Sequence, residues 1–147
     1  MEIENKEPLD FKASIPIQIR FNDIDALGHI NNNIYLSFFD LGKVDYFDRL
    51  RASAVSWTEG TIVVAHLEMD FLSPTFYREK IAVKSKVVKV GNKSGEFQQQ
   101  LINEKTGEVK CVCKTVFVFI DTEAQKPSAI PHAWREAITK FEGLLPQ

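Results

Sequence analysis

Ile15, Ile17, Ile19 and Phe21 alternate with Pro16, Gln18, Arg20 and Asn22, the two-residue period of a half-buried strand. Pro16 has no N–H to give to a ladder, which places this strand at an edge or near its own start. The pattern then changes. From Ile34 to Leu50 the apolar residues crowd together, and Asp40, Lys43, Asp45, Asp48 and Arg49 follow no alternation; with the length of the run this predicts a helix over 32–51. Its first half is apolar on nearly every side and is expected to be wrapped by other structure. Gly42 lowers helix propensity in the middle of it, which a close contact with a sheet would explain.

Further on, Val63, Ala65, Leu67, Met69 and Phe71 alternate with Val64, His66, Glu68 and Asp70, and Ser73-Pro74-Thr75 ends this second strand. Residues 80–90, 96–103 and 108–121 read as three more strands, joined by turns at 91–95 and 104–107. Short turns in succession imply antiparallel neighbours, so the four later strands are expected largely to meander. The segment 52–60 reads as a connection, 131–144 as a short helix, and 1–14, polar with Pro8, as a loose N-terminal arm. A single sheet must bury its apolar face on something, and the long helix is the large partner available. The expected fold is α+β: an antiparallel five-stranded sheet wrapped around one long helix. No repeat or linker divides the chain, so 1–147 is read as a single domain.

Charge and composition narrow the possibilities. A formal net charge of −2 carries no electrostatic footprint for nucleic acid. No apolar run is long enough for a membrane span, and Met1-Glu2-Ile3-Glu4 opens no apolar leader, so the cytoplasm is the expected compartment. Cys111 and Cys113 share one face of a predicted strand. A disulfide between them would be strained, and two thiols make a poor metal site, so both are read as reduced packing residues. There is no His/Cys/Asp grouping with metal-ligand spacing and no Gly-x-Ser-x-Gly elbow; no metal or other cofactor is expected.

Candidate chemistry concentrates in Arg20-Phe21-Asn22-Asp23-Ile24-Asp25-Ala26-Leu27-Gly28-His29-Ile30-Asn31-Asn32-Asn33. A strand pattern stops, two acids appear, a glycine turns the chain, and asparagines suited to helix capping precede the long helix. The first helical N–H groups have no intrahelical partner, and the helix dipole adds partial positive charge there. Such a place can hold a developing oxyanion, with Asp25 beside it as nucleophile or general base. The plainer role for Asp25 is to close an Asx turn. Asp23 is expected to bond loop amides and hold Asp25 in place.

This stretch resembles the hotdog-fold thioesterases of the 4-hydroxybenzoyl-CoA thioesterase-like group, whose members carry an Arg/Tyr-aromatic-x-Asp-x-Asp-x-x-Gly pattern before a helix. Weaker matches are Leu67-Glu68-Met69-Asp70-Phe71-Leu72-Ser73-Pro74, Val90-Gly91-Asn92-Lys93-Ser94, and Val116-Phe117-Val118-Phe119-Ile120-Asp121 with Pro127 and Ile130-Pro131. The resemblance implies hydrolysis of an acyl-CoA or acyl-carrier-protein thioester. It puts the catalytic aspartate on Asp25 and the carbonyl-polarising backbone N–H on Asn32. It also implies a homodimer whose sheets join edge to edge with sites at the interface, or a homotetramer built from such dimers. His29 is expected to position the thioester or bond the loop backbone. Asn31 is expected to cap the helix and to add a substrate contact. Tyr35, Phe38 and Phe39 are core residues of which one, Tyr35 first, can also line the acyl pocket. Lys93 and Ser94, with Arg78 and Lys80, are the expected contacts for phosphate or pantetheine. His66 is expected at the surface or an interface. Two rival readings stay open: a hotdog dehydratase or hydratase acting on a carrier-bound acyl group, and a non-catalytic dimer that binds acyl thioesters.

Overall fold

The computed structural model describes residues 10–51 and 58–144. Strands β1 (Ala13–Ile17), β2 (Gly60–Phe71), β3 (Ile81–Val90), β4 (Ser94–Asn103) and β5 (Val109–Asp121) form one sheet in the order β1-β3-β4-β5-β2, every neighbouring pair antiparallel. Helix α1 (Asn32–Arg51) packs against β1, β3 and β4, and α2 (His132–Glu142) packs against β3 and α1. The meander therefore covers β3, β4 and β5, while β2 crosses over to pair with β5 at the far edge.

Two apolar clusters join α1 to the sheet. Near its start, Tyr35, Phe38 and Phe39 meet Ile17, Ile81, Val83, Leu101, Cys111 and Cys113. Near its end, Tyr46, Phe47 and Leu50 meet Val87, Phe97, Phe117 and Phe119, with Trp134 and Ile138 closing from α2. Gly42 lies between them. A Cβ there would stand 2.6 Å from Val83 Cγ1, 2.8 Å from Gln99 Nε2 and 2.9 Å from Ser85 Oγ. The missing side chain lets the helix backbone reach the sheet, as the sequence suggested. Gln99, almost fully buried, uses that proximity: its Nε2 donates to the Phe39 carbonyl at 2.8 Å and to Ser85 Oγ at 3.0 Å. At the other end the Glu142 carboxylate accepts from Tyr46 Oη at 2.7 Å and from the Val87 N–H at 3.0 Å, tying α2 to both layers.

The structure corrects four expectations. β1 begins at Ala13 and ends at Ile17, so Ala13 and Ser14 leave the predicted arm; its residues 1–9 lie outside the described residues, as do 52–57 of the predicted connection. Phe21 belongs to a short 3₁₀ turn, Phe21–Asp23, and is 76% exposed; the buried Asp23 carboxylate draws the backbone out of the ladder. β2 carries a bulge between Val64 and His66, which flips the parity of the alternation. Ile62 before the bulge meets one cluster, Leu67 and Met69 after it meet the other, and Val63 and Val64 are exposed. Lastly, the first half of α1 is not wrapped on all sides: the sheet covers one face, and Leu36 and Leu41 remain exposed at 37% and 52%.

Replacing Gly42 by alanine should destabilise the protein by about 1–3 kcal/mol despite alanine's better helix propensity, because the added methyl overpacks the helix–sheet contact. Thermal unfolding of Gly42→Ala measures this; an unchanged or higher Tm would contradict it.

Candidate active site

The loop between β1 and α1 is organised by its two acids. Asp23, with no exposed surface, accepts from the Arg20 N–H at 2.8 Å and from the Arg20 guanidinium at 3.1 Å. Its own carbonyl accepts from the Asn31 N–H at 2.9 Å, closing the loop at the point where α1 begins. Asp25, by contrast, is exposed. Its Oδ1 accepts from the Leu27 N–H at 2.9 Å and the His29 N–H at 3.2 Å, and its carbonyl accepts from the Gly28 N–H at 3.0 Å. Gly28 holds φ at +80°, a turn that side-chain-bearing residues rarely adopt. The Asx turn is thus real, but it engages only one carboxylate oxygen. Among the described residues Oδ2 has no hydrogen-bond partner, so Asp25 is held by one oxygen and presents the other.

Helix α1 starts directly beyond. Asn31 caps it: Oδ1 accepts from the Asn33 N–H at 3.2 Å, and the Asn31 carbonyl accepts from the Ile34 N–H at 2.8 Å. The Asn32 N–H takes part in neither bond. A cavity of about 340 Å³ is lined by Asp25, His29, Ile30, Asn32, Tyr35 and by Phe71 to Pro74. Asp25 and the N-terminus of α1 therefore share one concave space.

The facing wall is the segment after β2. The Thr75 carbonyl accepts from the Ile30 N–H at 2.8 Å, and Tyr35 Oη donates to the buried Thr75 Oγ1 at 3.0 Å. Burial raises the Tyr35 phenol above its ordinary pKa, so it stays neutral and keeps this bond. The His29 ring lies edge-on to Phe76, centroids 4.8 Å apart. Behind the wall sits Lys110, buried on β5, whose Nζ is 2.8 Å from Glu79 Oε1 and 3.2 Å from Glu108 Oε2 and donates to the Pro74 carbonyl at 3.2 Å.

The structure brings Asp25, His29, Asn32 and Tyr35 to one cavity, with Asn31 as the cap beside it. Phe38 and Phe39 are buried core, and His66 is exposed and pairs with Glu68. Arg78 and Lys80 are exposed next to the wall segment. Lys93 and Ser94 are elsewhere in the chain: Lys93 lies in the β3–β4 turn and Ser94 opens β4, whereas the cavity is at the Ile81, Asn103 and Phe71 end of the sheet. Cys111 and Cys113 are free and buried, and burial pushes the Cys111 thiol up to about 12, so both stay protonated packing groups. Sequence reasoning missed Thr75, Glu79 and Lys110. A lysine next to an inward-facing cysteine on a strand reads as an outward, solvated side chain, and nothing local to Lys110 signals burial.

A family model for the thioesterase-like superfamily matches residues 19–138. The long-chain acyl-CoA thioesterase FadM of Escherichia coli (strain K12) is 25% identical over 128 residues, which cover 85% of this chain and 96% of that protein. The acyl-CoA thioesterase YbgC of Haemophilus influenzae is 26% identical over 126 residues, 84% of this chain and 91% of that one. A crystal structure of a thioesterase from Thermus thermophilus, complexed with coenzyme A and Zn, superposes with a TM-score of 0.78 at 28% identity, covering 93% of this chain and 98% of its own.

The ion cluster behind the wall sets a pH dependence. Burial alone would raise the Glu79 pKa, but hydrogen bonds from Lys110, the Phe76 N–H and Asn103 outweigh it and hold the carboxyl below its ordinary value. A depressed folded-state pKa contributes stability above the unfolded carboxylate value, and that contribution is lost as pH falls through the folded value. Lys110, raised by its two carboxylates against the effect of burial, loses its contribution only at alkaline pH. The Tm difference between wild type and Lys110→Met should therefore be widest near neutrality and narrow as pH falls below about 4. A difference constant across that range would contradict the assignment.

Proposed function

The chain belongs to the thioesterase-like superfamily, and on that premise we propose that it hydrolyses an acyl-CoA thioester to the free acid and coenzyme A, with acyl carrier protein as the alternative thiol carrier. The observation that carries this reading is the shared cavity: Asp25, with one carboxylate oxygen tied by loop amides and the other without a hydrogen-bond partner among the described residues, and the start of α1 line the same space. The thioester carbonyl points its oxygen at the Asn32 N–H, where the amide and the helix dipole stabilise the negative charge that develops on attack. Asp25 supplies the second half of the chemistry. Either its free oxygen attacks the carbonyl carbon, expelling the thiolate and leaving a mixed anhydride for water to cleave, or it takes the proton from a water that attacks directly. His29 and Tyr35 shape the cavity and orient the acyl group; Asn31 fixes the first turn of α1. The likeness to acyl-CoA thioesterases and to a coenzyme A complex supports a CoA thioester as substrate.

The same reading takes the protein to be a homodimer, with a homotetramer as the larger form. β2 is an edge strand of 12 residues that carries exposed Val63 and Val64, and a long unpaired apolar edge is a template for pairing with another strand. A second copy is its fitting partner. It would also bring another β3–β4 turn, with Lys93 and Ser94, toward the cavity that its own protomer's turn does not reach, there to meet the phosphates or pantetheine together with Arg78 and Lys80. None of the helices among the described residues is long and apolar enough to cross a membrane.

Purified protein given a panel of acyl-CoAs should release free thiol, and Asp25→Asn and Asp25→Ala should each lower kcat by about 100-fold or more with the circular-dichroism spectrum unchanged. Wild-type turnover in both variants would remove Asp25 from the mechanism, and hydration of an enoyl-CoA without thiol release would replace hydrolysis by the dehydratase reading. Light scattering should give twice the chain mass or a multiple of it; a monomer that is fully active would refute the interface.

A further inference from the structure

We propose that Lys110 is a positioning residue for the reaction: it holds the wall segment 72–79 at the distance from Asp25 and the Asn32 N–H that a thioester requires. The proposal rests on the hydrolase reading above for its kinetic consequences, but its structural part stands separately.

Lys110 grips the segment at several points. The β4–β5 register steps from Leu101↔Cys111 to Ile102↔Val109, so Lys110 is the extra residue of a β-bulge. A bulge disrupts the ladder locally and re-aims a side chain. The Lys110 carbonyl accepts from the Leu72 N–H at 2.9 Å and the Ser73 N–H at 3.2 Å. The Lys110 side chain, only 5% exposed, has an acceptor for each of its three N–H bonds: the Pro74 carbonyl, Glu79 and Glu108. Glu79 then carries the grip to the far end of the segment, its Oε2 accepting from the Phe76 N–H and its Oε1 from Asn103 Nδ2 at 2.9 Å. What lies between these fixed points is the wall itself. Leu72, Ser73 and Pro74 line the cavity, Thr75 bonds Ile30 and Tyr35, and Phe76 bears on His29. None of the three groups that bind Lys110 Nζ is placed in the chemistry, and the buried ammonium does not line the cavity. Its effect reaches the substrate through the backbone of 72–76.

A buried cation with three acceptors is a demanding way to hold a loop, since each acceptor must be in place for the charge to be tolerated. That demand is what makes it suitable for positioning. A loop held by apolar packing could shift by fractions of an ångström, whereas this one has a short list of allowed arrangements.

The experiment compares wild type, Lys110→Met and Lys110→Arg, with Lys114→Met, an exposed lysine on the same strand, as control. Amide hydrogen exchange and steady-state kinetics on an acyl-CoA substrate are measured together. Lys110→Met should lose protection in 72–79 while β3 and β4 keep theirs. Its kcat should fall about 10- to 100-fold, the scale of an ångström-sized misplacement, with KM little changed. Lys110→Arg should recover part of both, and Lys114→Met should match wild type. If Lys110→Met does not fold, Glu79→Gln, which keeps an acceptor for Phe76 and removes the charge, should give the same pattern in weaker form. Wild-type protection across 72–79, unchanged kcat with a loosened segment, or a loss confined to KM would each overturn the proposal. Should wild type hydrolyse no acyl-CoA at all, the hydrolase reading falls, and the exchange data still decide whether Lys110 fixes the wall.

Discussion

A helix cannot satisfy its own first N–H groups, and the candidate site is built from that deficit. In α1 the cap residue Asn31 takes up the amides of Asn33 and Ile34, and Asn32 lines the space that Asp25 also borders. The loop before α1 keeps a carboxylate and an electropositive helix end apart but adjacent. If Asp25 came directly onto the amide, it would itself become the cap and the site would be closed. The loop prevents this by giving Asp25 Oδ1 two other amides, Leu27 and His29, while Asp23 pins the loop's base.

The placement of the helix matters as much as its end. α1 is set on the sheet at Gly42, where three side chains occupy the volume a methyl group would need, and Gln99 bonds a helix carbonyl across the gap. Fixing the middle of a 20-residue helix fixes where its first turn lies. The wall of 72–79 is registered from β5, through the bulged Lys110. Helix, loop and wall each have their own anchor, a close backbone approach, a buried carboxylate and a buried cation, and Thr75 joins the wall to the other two through Ile30 and Tyr35.

Much of this was legible in the residues. The span of α1 follows from its length and non-alternating charges, the short turns mark the meander of β3 to β5, and the asparagines before α1 mark its cap. The reason for Gly42 was also readable, since a glycine in a helix interior calls for a contact that repays its propensity. What escaped was tertiary in origin. Phe21 continues an alternation that the backbone abandons in order to satisfy Asp23, and the bulge in β2 shifts which residues face inward halfway along an apparently regular strand. Lys110 was invisible because its burial depends on acceptors at Pro74 and Glu79, more than 30 positions away. Lys93 and Ser94 are likewise separated from the cavity by topology: their turn is at the other end of the sheet.

The central proposal is a thioester carbonyl held between the Asp25 carboxylate and the Asn32 amide. The most direct measurement is a crystal structure with a non-hydrolysable acyl-CoA analogue whose carbonyl is intact. The carbonyl oxygen is predicted about 3 Å from the Asn32 nitrogen, with an Asp25 oxygen, or a water it holds, within about 3.5 Å of the carbonyl carbon. An analogue bound with its carbonyl away from the start of α1, or with Asp25 turned out of reach of it, would contradict the account.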